Sequence, residues 1–287
     1  MTELTLLDAP SDRRRDALSW AAANRRWSKA IADAVAAETA ALAIRNIGWG
    51  LAALFDADTW YVIFFREGEV PIMFDYFDAD TRHDRYADGP YLLDPFYTSF
   101  LNGDPPGSYL KRDISPEDLS EIEPYLSYDQ EIFGPMEEAG LVTDIDGNTR
   151  SLVCFSRAIT RPHRCEYDQR HIAVLDIVAP VVEAFVTRLW RETAGQNTQA
   201  QGSRSRKHAQ IEKVLTSFQA EHLTAREKDV CNLMIKGFNA REISGFLDIS
   251  YGTARNHIKK VYQKLDVSSQ SELCGLFIEQ LLNLETL

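Results

Sequence analysis

The chain has 287 residues, is 45% apolar and 26% charged, and carries a formal net charge of −12. That length has room for two domains, and the balance is that of a globular chain, not of a disordered, collagenous or membrane-spanning one. Its four cysteines, Cys154, Cys165, Cys231 and Cys274, show no paired spacing, which argues against a disulfide framework and fits thiols in a reducing cytoplasm.

Residues 1–12 read as a loose tail with no signal-peptide core. No apolar run reaches the ~18–20 residues that a membrane helix needs. Asp176 and Glu183 interrupt the best candidate. A cytoplasmic protein with no membrane partner is expected. Residues 13–55 are alanine-rich with helical apolar spacing, and Gly48 and Gly50 suggest a break. The β-branched and aromatic runs 59–65 and 70–77 flank Glu67-Gly68-Glu69 and predict a β-hairpin. Residues 91–97 lead into a short helix ending near Leu101, and 108–114 reads as extended after the turn cluster 102–107. Ser115-Pro116 starts a helix, a further helix is expected over 127–139, and a second hairpin is expected around Asp146-Gly147-Asn148. Residues 166–191 form a long helical pattern with Pro180 inside it.

This order predicts an α/β sandwich, an antiparallel sheet flanked by helices, similar to PAS- or GAF-like folds. Its span is 13–192. The polar stretch 193–208 (TAGQNTQAQGSRSRKH) reads as an interdomain linker, and 219–285 as an all-α, four-helix domain.

Within 222–281, helix starts follow from capping chemistry. Thr224 precedes Glu227, Asn239 precedes Glu242 and Ser269 precedes Glu272, each by three residues. In such pairs the short side chain caps an orphan N–H while the glutamate reaches back. Gly237 fits a C′ position after the apolar run ending at Ile235, and Ser250 can cap a helix from about Gly252 to Leu265. A short helix, a tight turn and a longer helix make helix-turn-helix grammar, in which the second helix enters the major groove. Ala254, Ile258, Val261 and Leu265 form the inward stripe of that longer helix. Arg255, Asn256, Lys259, Lys260 and Lys264 fall outside it. Arginine and lysine can read guanine O6/N7, and asparagine can read adenine.

Residues 201–287 hold 12 Lys+Arg against 10 Asp+Glu, a charge of +2, so 1–200 carry −14. The acidity lies away from the cationic helix, and phosphate contact depends on charge within about a Debye length of ~8–10 Å.

The elements Leu223-Thr-Ala-Arg-Glu, Lys236-Gly-Phe-Asn, Arg241-Glu-Ile, Ile249-Ser, Thr253-Ala-Arg-Asn-His257 and Lys264-Leu265 resemble the C-terminal DNA-binding domain of LuxR-type regulators. The resemblance implies a dimeric DNA binder whose third helix contacts bases. Carried over by position, Arg255, Asn256 and Lys259 would read bases, and Thr253, His257 and Lys264 would lie near phosphates. Ala254 replaces the usual valine, and Gly252 sits in the first helical turn.

Among known companions of such domains, a receiver domain is disfavoured by the antiparallel hairpins. Leu93-Asp94-Pro95 is similar to the aspartate-proline step of acyl-homoserine-lactone domains, although Thr81 and Arg85 replace the tryptophan and tyrosine expected upstream. Asp94 is therefore either a turn residue or a ligand contact. Tyr61, Phe65, Tyr76, Tyr91, Phe96 and Tyr97 are candidates to line a pocket, with ordinary core packing as the alternative. Met73 and Phe133 extend that aromatic and apolar set.

No hydrolase, protease, P-loop or dinucleotide motif occurs, so no enzyme is expected. Cys165 between His163 and His171 matches no standard metal spacing, and neither a metal nor a cofactor is expected. The expected function is sequence-specific, DNA-binding transcription regulation by a homodimer on a palindromic operator, with RNA polymerase as a further partner. The N-terminal part either binds a small-molecule effector or is a protein-interaction or dimerisation module without one.

Overall fold

A computed structural model describes residues 10–75, 86–115, 136–158, 166–194, 198–219 and 221–284. Two helices, α1 (Pro10–Val35) and α2 (Ala40–Phe55), precede the hairpin β1 (Thr59–Arg66) and β2 (Ile72–Asp75). A 3₁₀ turn (Pro90–Leu93) leads into α3 (Pro95–Asn102), β3 (Gly107–Leu110) and the single turn α4 (Lys111–Ile114). The hairpin β4 (Met136–Asp144) and β5 (Thr149–Ala158) and the long α5 (Gln169–Ala194) complete the N-terminal part. The described strands form one antiparallel sheet in the order β2-β1-β5-β4-β3. Helices cover both of its faces, which gives the expected sandwich.

Strand alternation sorts the side chains into two cores. Trp60, Val62 and Phe64 of β1, with Val153 and Phe155 of β5 and Leu141 of β4, pack against α2 and α5. The alternate residues Ile63 and Phe65, with Leu152, Cys154 and Val142, face the other way. There they meet Tyr91, Phe96 and Tyr97, and beyond these the C-terminal helices.

Several expectations require correction. Gly48 and Gly50 do not break a helix. The break is at residues 36–39, where Thr39 caps α2 by accepting from Leu42 N. The two glycines let α2 approach the Trp60 and Trp27 rings, and a Cβ at Gly50 would lie 2.7 Å from Trp27 Cε3. Residues 136–139, expected to be helical, are strand. Glu137 and Glu138 register opposite Arg157 and Ser156, and sheet pairing overrides the helical propensity of the glutamates. The extended stretch 108–114 ends at Leu110 and turns into α4. The start of the helix at Ser115-Pro116, residues 127–135, Tyr76, Thr81, Arg85, Phe133, His163 and Cys165 lie, in whole or in part, outside the described residues.

The polar segment read as a linker is helical from Thr198, as the first half of α6 (Thr198–Ser217). Side chains of α6 fasten it to the N-terminal part. Arg204 Nε donates to Glu69 at 3.1 Å, Lys207 pairs with Asp88, and His208 Nδ1 lies 2.9 Å from the Tyr91 hydroxyl. The C-terminal unit follows as α7 (Ala225–Ile235), α8 (Ala240–Phe246), α9 (Tyr251–Leu265) and α10 (Gln270–Leu284).

A helix-turn-helix surface and the buried face beneath it

Local chemistry sets each start in the C-terminal unit. Thr224 and Glu227 form a capping box on α7, and Asn239 and Glu242 form one on α8. Ser250 Oγ accepts from Thr253 N at 3.1 Å to cap α9. Ser269 accepts from Glu272 N at 3.2 Å, while the Glu272 carboxylate reaches Ser268, one residue earlier than the capping pattern predicts. Gly237 takes φ +88°, as its C′ place demands. Ala254 and Val261 are buried, and Ile258 and Leu265 are half-buried beside Ile243 and Leu247. The predicted stripe of α9 is therefore its inner face.

The outer face of α9 presents Thr253, Arg255, Asn256, Lys259 and Lys260 to solvent. These groups project together from one exposed helix whose partner α8 is locked behind it. The remaining candidates sit differently. Half-buried His257 keeps Nδ1 out of solvent, with no hydrogen-bond partner among the described residues. Lys264 Nζ lies 2.6 Å from Glu227 Oε2, and that carboxylate is buried and also accepts from Thr224 N at 2.8 Å. The hydrogen bond from Lys264, then that from the Thr224 backbone, hold the Glu227 carboxyl down to about 2. Lys264 thus ties α9 to the start of α7.

The structure also brings together the described candidates of the N-terminal part. Phe65 and Tyr97 rings meet edge-on at 5.5 Å, and Tyr91 and Tyr97 at 4.9 Å. Phe96 packs at the sheet, where a Cβ on Gly140 would come within 2.9 Å of its ring. Asp94 does what a helix-start aspartate does: it caps α3 by accepting from Phe96 N at 2.9 Å. It also accepts from Tyr86 Oη at 2.8 Å. Burial raises the Asp94 carboxyl above its ordinary range, against the lowering pull of Lys111 and Tyr86.

Beside Asp94 lies a polar cluster that the sequence did not reveal. Glu138 of β4 accepts from Tyr61 Oη at 2.9 Å and Ser156 Oγ at 2.8 Å, and pairs with Lys111. Burial opposes its ionisation, but Lys111 and those hydrogen bonds hold the carboxyl below its ordinary range. With 136–139 as strand, the register Tyr61↔Cys154↔Gly140 puts Glu138, two residues from Gly140, on the face of Tyr61.

This buried face also touches the DNA-binding unit. Thr98 Oγ1 donates to Lys236 O at 2.9 Å, and Asn102 Nδ2 to Glu242 Oε1 at 3.3 Å. A Cβ on Gly89 would lie 2.7 Å from Leu281 Cδ1, and one on Gly237 2.7 Å from Thr98 Oγ1. Tyr91 and Phe96 therefore share one core with Ile211, Met234, Phe238 and Phe277.

An antiparallel sandwich joined to a capped helix-turn-helix unit with an exposed cationic face defines a DNA-binding protein. The family model of bacterial regulatory proteins of the luxR family matches residues 221–277. Over 193 residues the chain is 30% identical to the putative HTH-type transcriptional regulator in the exeN 3'region of Aeromonas salmonicida, covering 66% of this chain and 95% of that protein. The chain belongs to the luxR family of bacterial regulatory proteins, and it is a DNA-binding transcription regulator. Among solved structures, the VqsR LBD domain of Pseudomonas aeruginosa is 21% identical with a TM-score of 0.48, over 56% of this chain and 94% of that one. Escherichia coli SdiA is 14% identical with a TM-score of 0.41, over 87% of this chain and 94% of its own. Among the described residues no helix is long and apolar enough to cross a membrane.

Proposed function

We propose that this regulator reads its operator through Arg255, Asn256 and Lys259, with Thr253 and Lys260 near phosphates, and that a small molecule bound at the Tyr61–Phe65–Tyr91–Asp94–Tyr97 face controls it. The observation that carries the reading is the shared core: the candidate effector face and the helices that hold α9 in place are packed against one another. In the described arrangement Tyr91, Phe96 and Tyr97 are buried by the chain itself. An effector entering that face must displace part of the packing. Its binding energy is then coupled to where the DNA-binding unit sits. The ligand end nearest Asp94, Lys111 and Glu138 would be polar, and the end against Phe65 and Tyr97 apolar. Two copies related by a twofold axis, with their α9 helices about 34 Å apart, fit palindromic half-sites one helical turn apart.

The test is a thermal-shift screen of metabolites on the full chain, followed by a DNA titration with any hit. A saturable stabilisation of RT ln(1 + [L]/Kd), accompanied by a changed DNA affinity, is expected. A compound that stabilises the protein yet leaves DNA affinity untouched contradicts the coupling.

A second reading makes the N-terminal part a dimerisation module without a ligand. It is favoured by Val35, Leu42 and Trp49, which are 70%, 47% and 42% exposed on α1 and α2. If a second copy covers that surface, Trp49→Asp makes the protein monomeric. An unchanged mass in solution contradicts this reading.

A further inference from the structure

We propose that Tyr251 is a specificity-determining residue of the reading helix, its ring contacting a thymine C5-methyl group beside the base pair that Arg255 reads. The inference rests on α9 being the base-reading element. Tyr251 is the first residue of α9, directly after the Ser250 cap, and is 51% exposed. It lies one turn before Arg255 and two before Lys259, so the three form a single row along the exposed side. The Arg255 guanidinium carbon stands 6.0 Å from the Tyr251 ring centroid, at the outer limit of cation–π attraction. The ring thus borders the fork that addresses guanine. Next to it, Gly252 has no side chain, and a Cβ built there would meet only Ser250 Oγ, at 3.9 Å. The backbone at this end of the helix can therefore approach base edges closely.

The chemistry of the groove selects the partner. Thymine alone carries a methyl group in the major groove, and an apolar side chain reads it by contact. One helical turn advances about 5.4 Å and one base step about 3.4 Å, which places the ring one to two base pairs from the guanine of Arg255. Both side chains lie outside the hydrophobic core, so replacing either leaves the fold in place.

The experiment uses the full chain and a duplex selected by it from a pool with randomised half-sites. Each thymine of the selected duplex is exchanged in turn for deoxyuridine, which deletes only the methyl group. At one thymine, one or two base pairs from the guanine identified by Arg255→Ala, the exchange weakens wild type by about fourfold per half-site, the fold-change for one methyl contact. Tyr251→Phe shows the same loss, and Tyr251→Ala shows none. A scan in which Tyr251→Ala suffers the same penalties as wild type, or in which no thymine matters, overturns the role of Tyr251 while leaving Arg255 as a reader. An Arg255→Ala protein with unaltered base preference overturns the base-reading assignment itself, and this inference with it.

Discussion

Gly237→Ala probes the contact between the two halves of the molecule. Gly237 sits at φ +88°, a left-handed conformation that costs an alanine about 1–2 kcal/mol. The new Cβ would also stand 2.7 Å from Thr98 Oγ1, closer than any van der Waals contact allows. Overpacking of that kind adds about 1–3 kcal/mol. The single variant should therefore lose about 2–5 kcal/mol. Thr98→Ala alone removes the 2.9 Å hydrogen bond to Lys236 O. That loss is about 0.5–1.5 kcal/mol. In the double variant the clash disappears, because the obstructing oxygen is gone. Its destabilisation should fall short of the summed single effects by about 1 kcal/mol or more. Urea unfolding of the full chain, comparing midpoints and slopes, measures this coupling. Additivity within about 0.3–0.5 kcal/mol would mean that the two residues do not touch in solution, and the shared core would have to be abandoned.

Other outcomes follow from the same geometry. Glu227→Ala removes a capping box and the Lys264 tie, so thermal unfolding should show a loss of about 1–3 kcal/mol, and binding should weaken on all duplexes alike. Because the Glu227 carboxyl is held down to about 2, its stabilisation is complete above the unfolded value of about 4.3. It fades as pH falls from there through about 2, and Glu227→Gln should flatten that part of the acid-unfolding curve. Burial lowers His208, which contacts Tyr91. The neutral ring is favoured in the folded state, so its contribution is present above about 6.5 and is lost as pH drops below that. His208→Asn should remove this component from the pH dependence of the melting temperature. Gly48→Ala improves helix propensity yet drives a Cβ into the Trp60 ring, so a loss of about 1–3 kcal/mol is expected; a stabilised protein would refute the close approach.

The C-terminal unit was legible because its signals are local. Thr224 with Glu227, Asn239 with Glu242, and Ser250 all act within one helical turn, and each caps the helix that the sequence predicts. Both hairpins were legible for the same reason: Gly68 and Gly147 take the positive φ that such turns require. The misread elements depend on distant partners. Glu137 and Glu138 become strand only because β5 lies alongside, with Arg157 Nε 2.6 Å from Glu137. Gly48 and Gly50 serve Trp60 and Trp27 rather than a turn. The polar segment after Ala194 shows no apolar period, and Glu69, Asp88 and Tyr91 help to fasten the helix it begins. Of the cationic face of α9, the exposed positions followed from the helical period. The pairing of Lys264 with Glu227 did not, because Glu227 lies on another helix.

The central claim is that α9 discriminates between base sequences. The direct measurement is a competition titration of wild type and Arg255→Ala against the selected duplex and its single-base variants, at one fixed salt concentration. Wild type should prefer the selected duplex, and Arg255→Ala should lose about 1–3 kcal/mol of that preference at one base pair per half-site. Equal affinity and unchanged preference in the two proteins would contradict it.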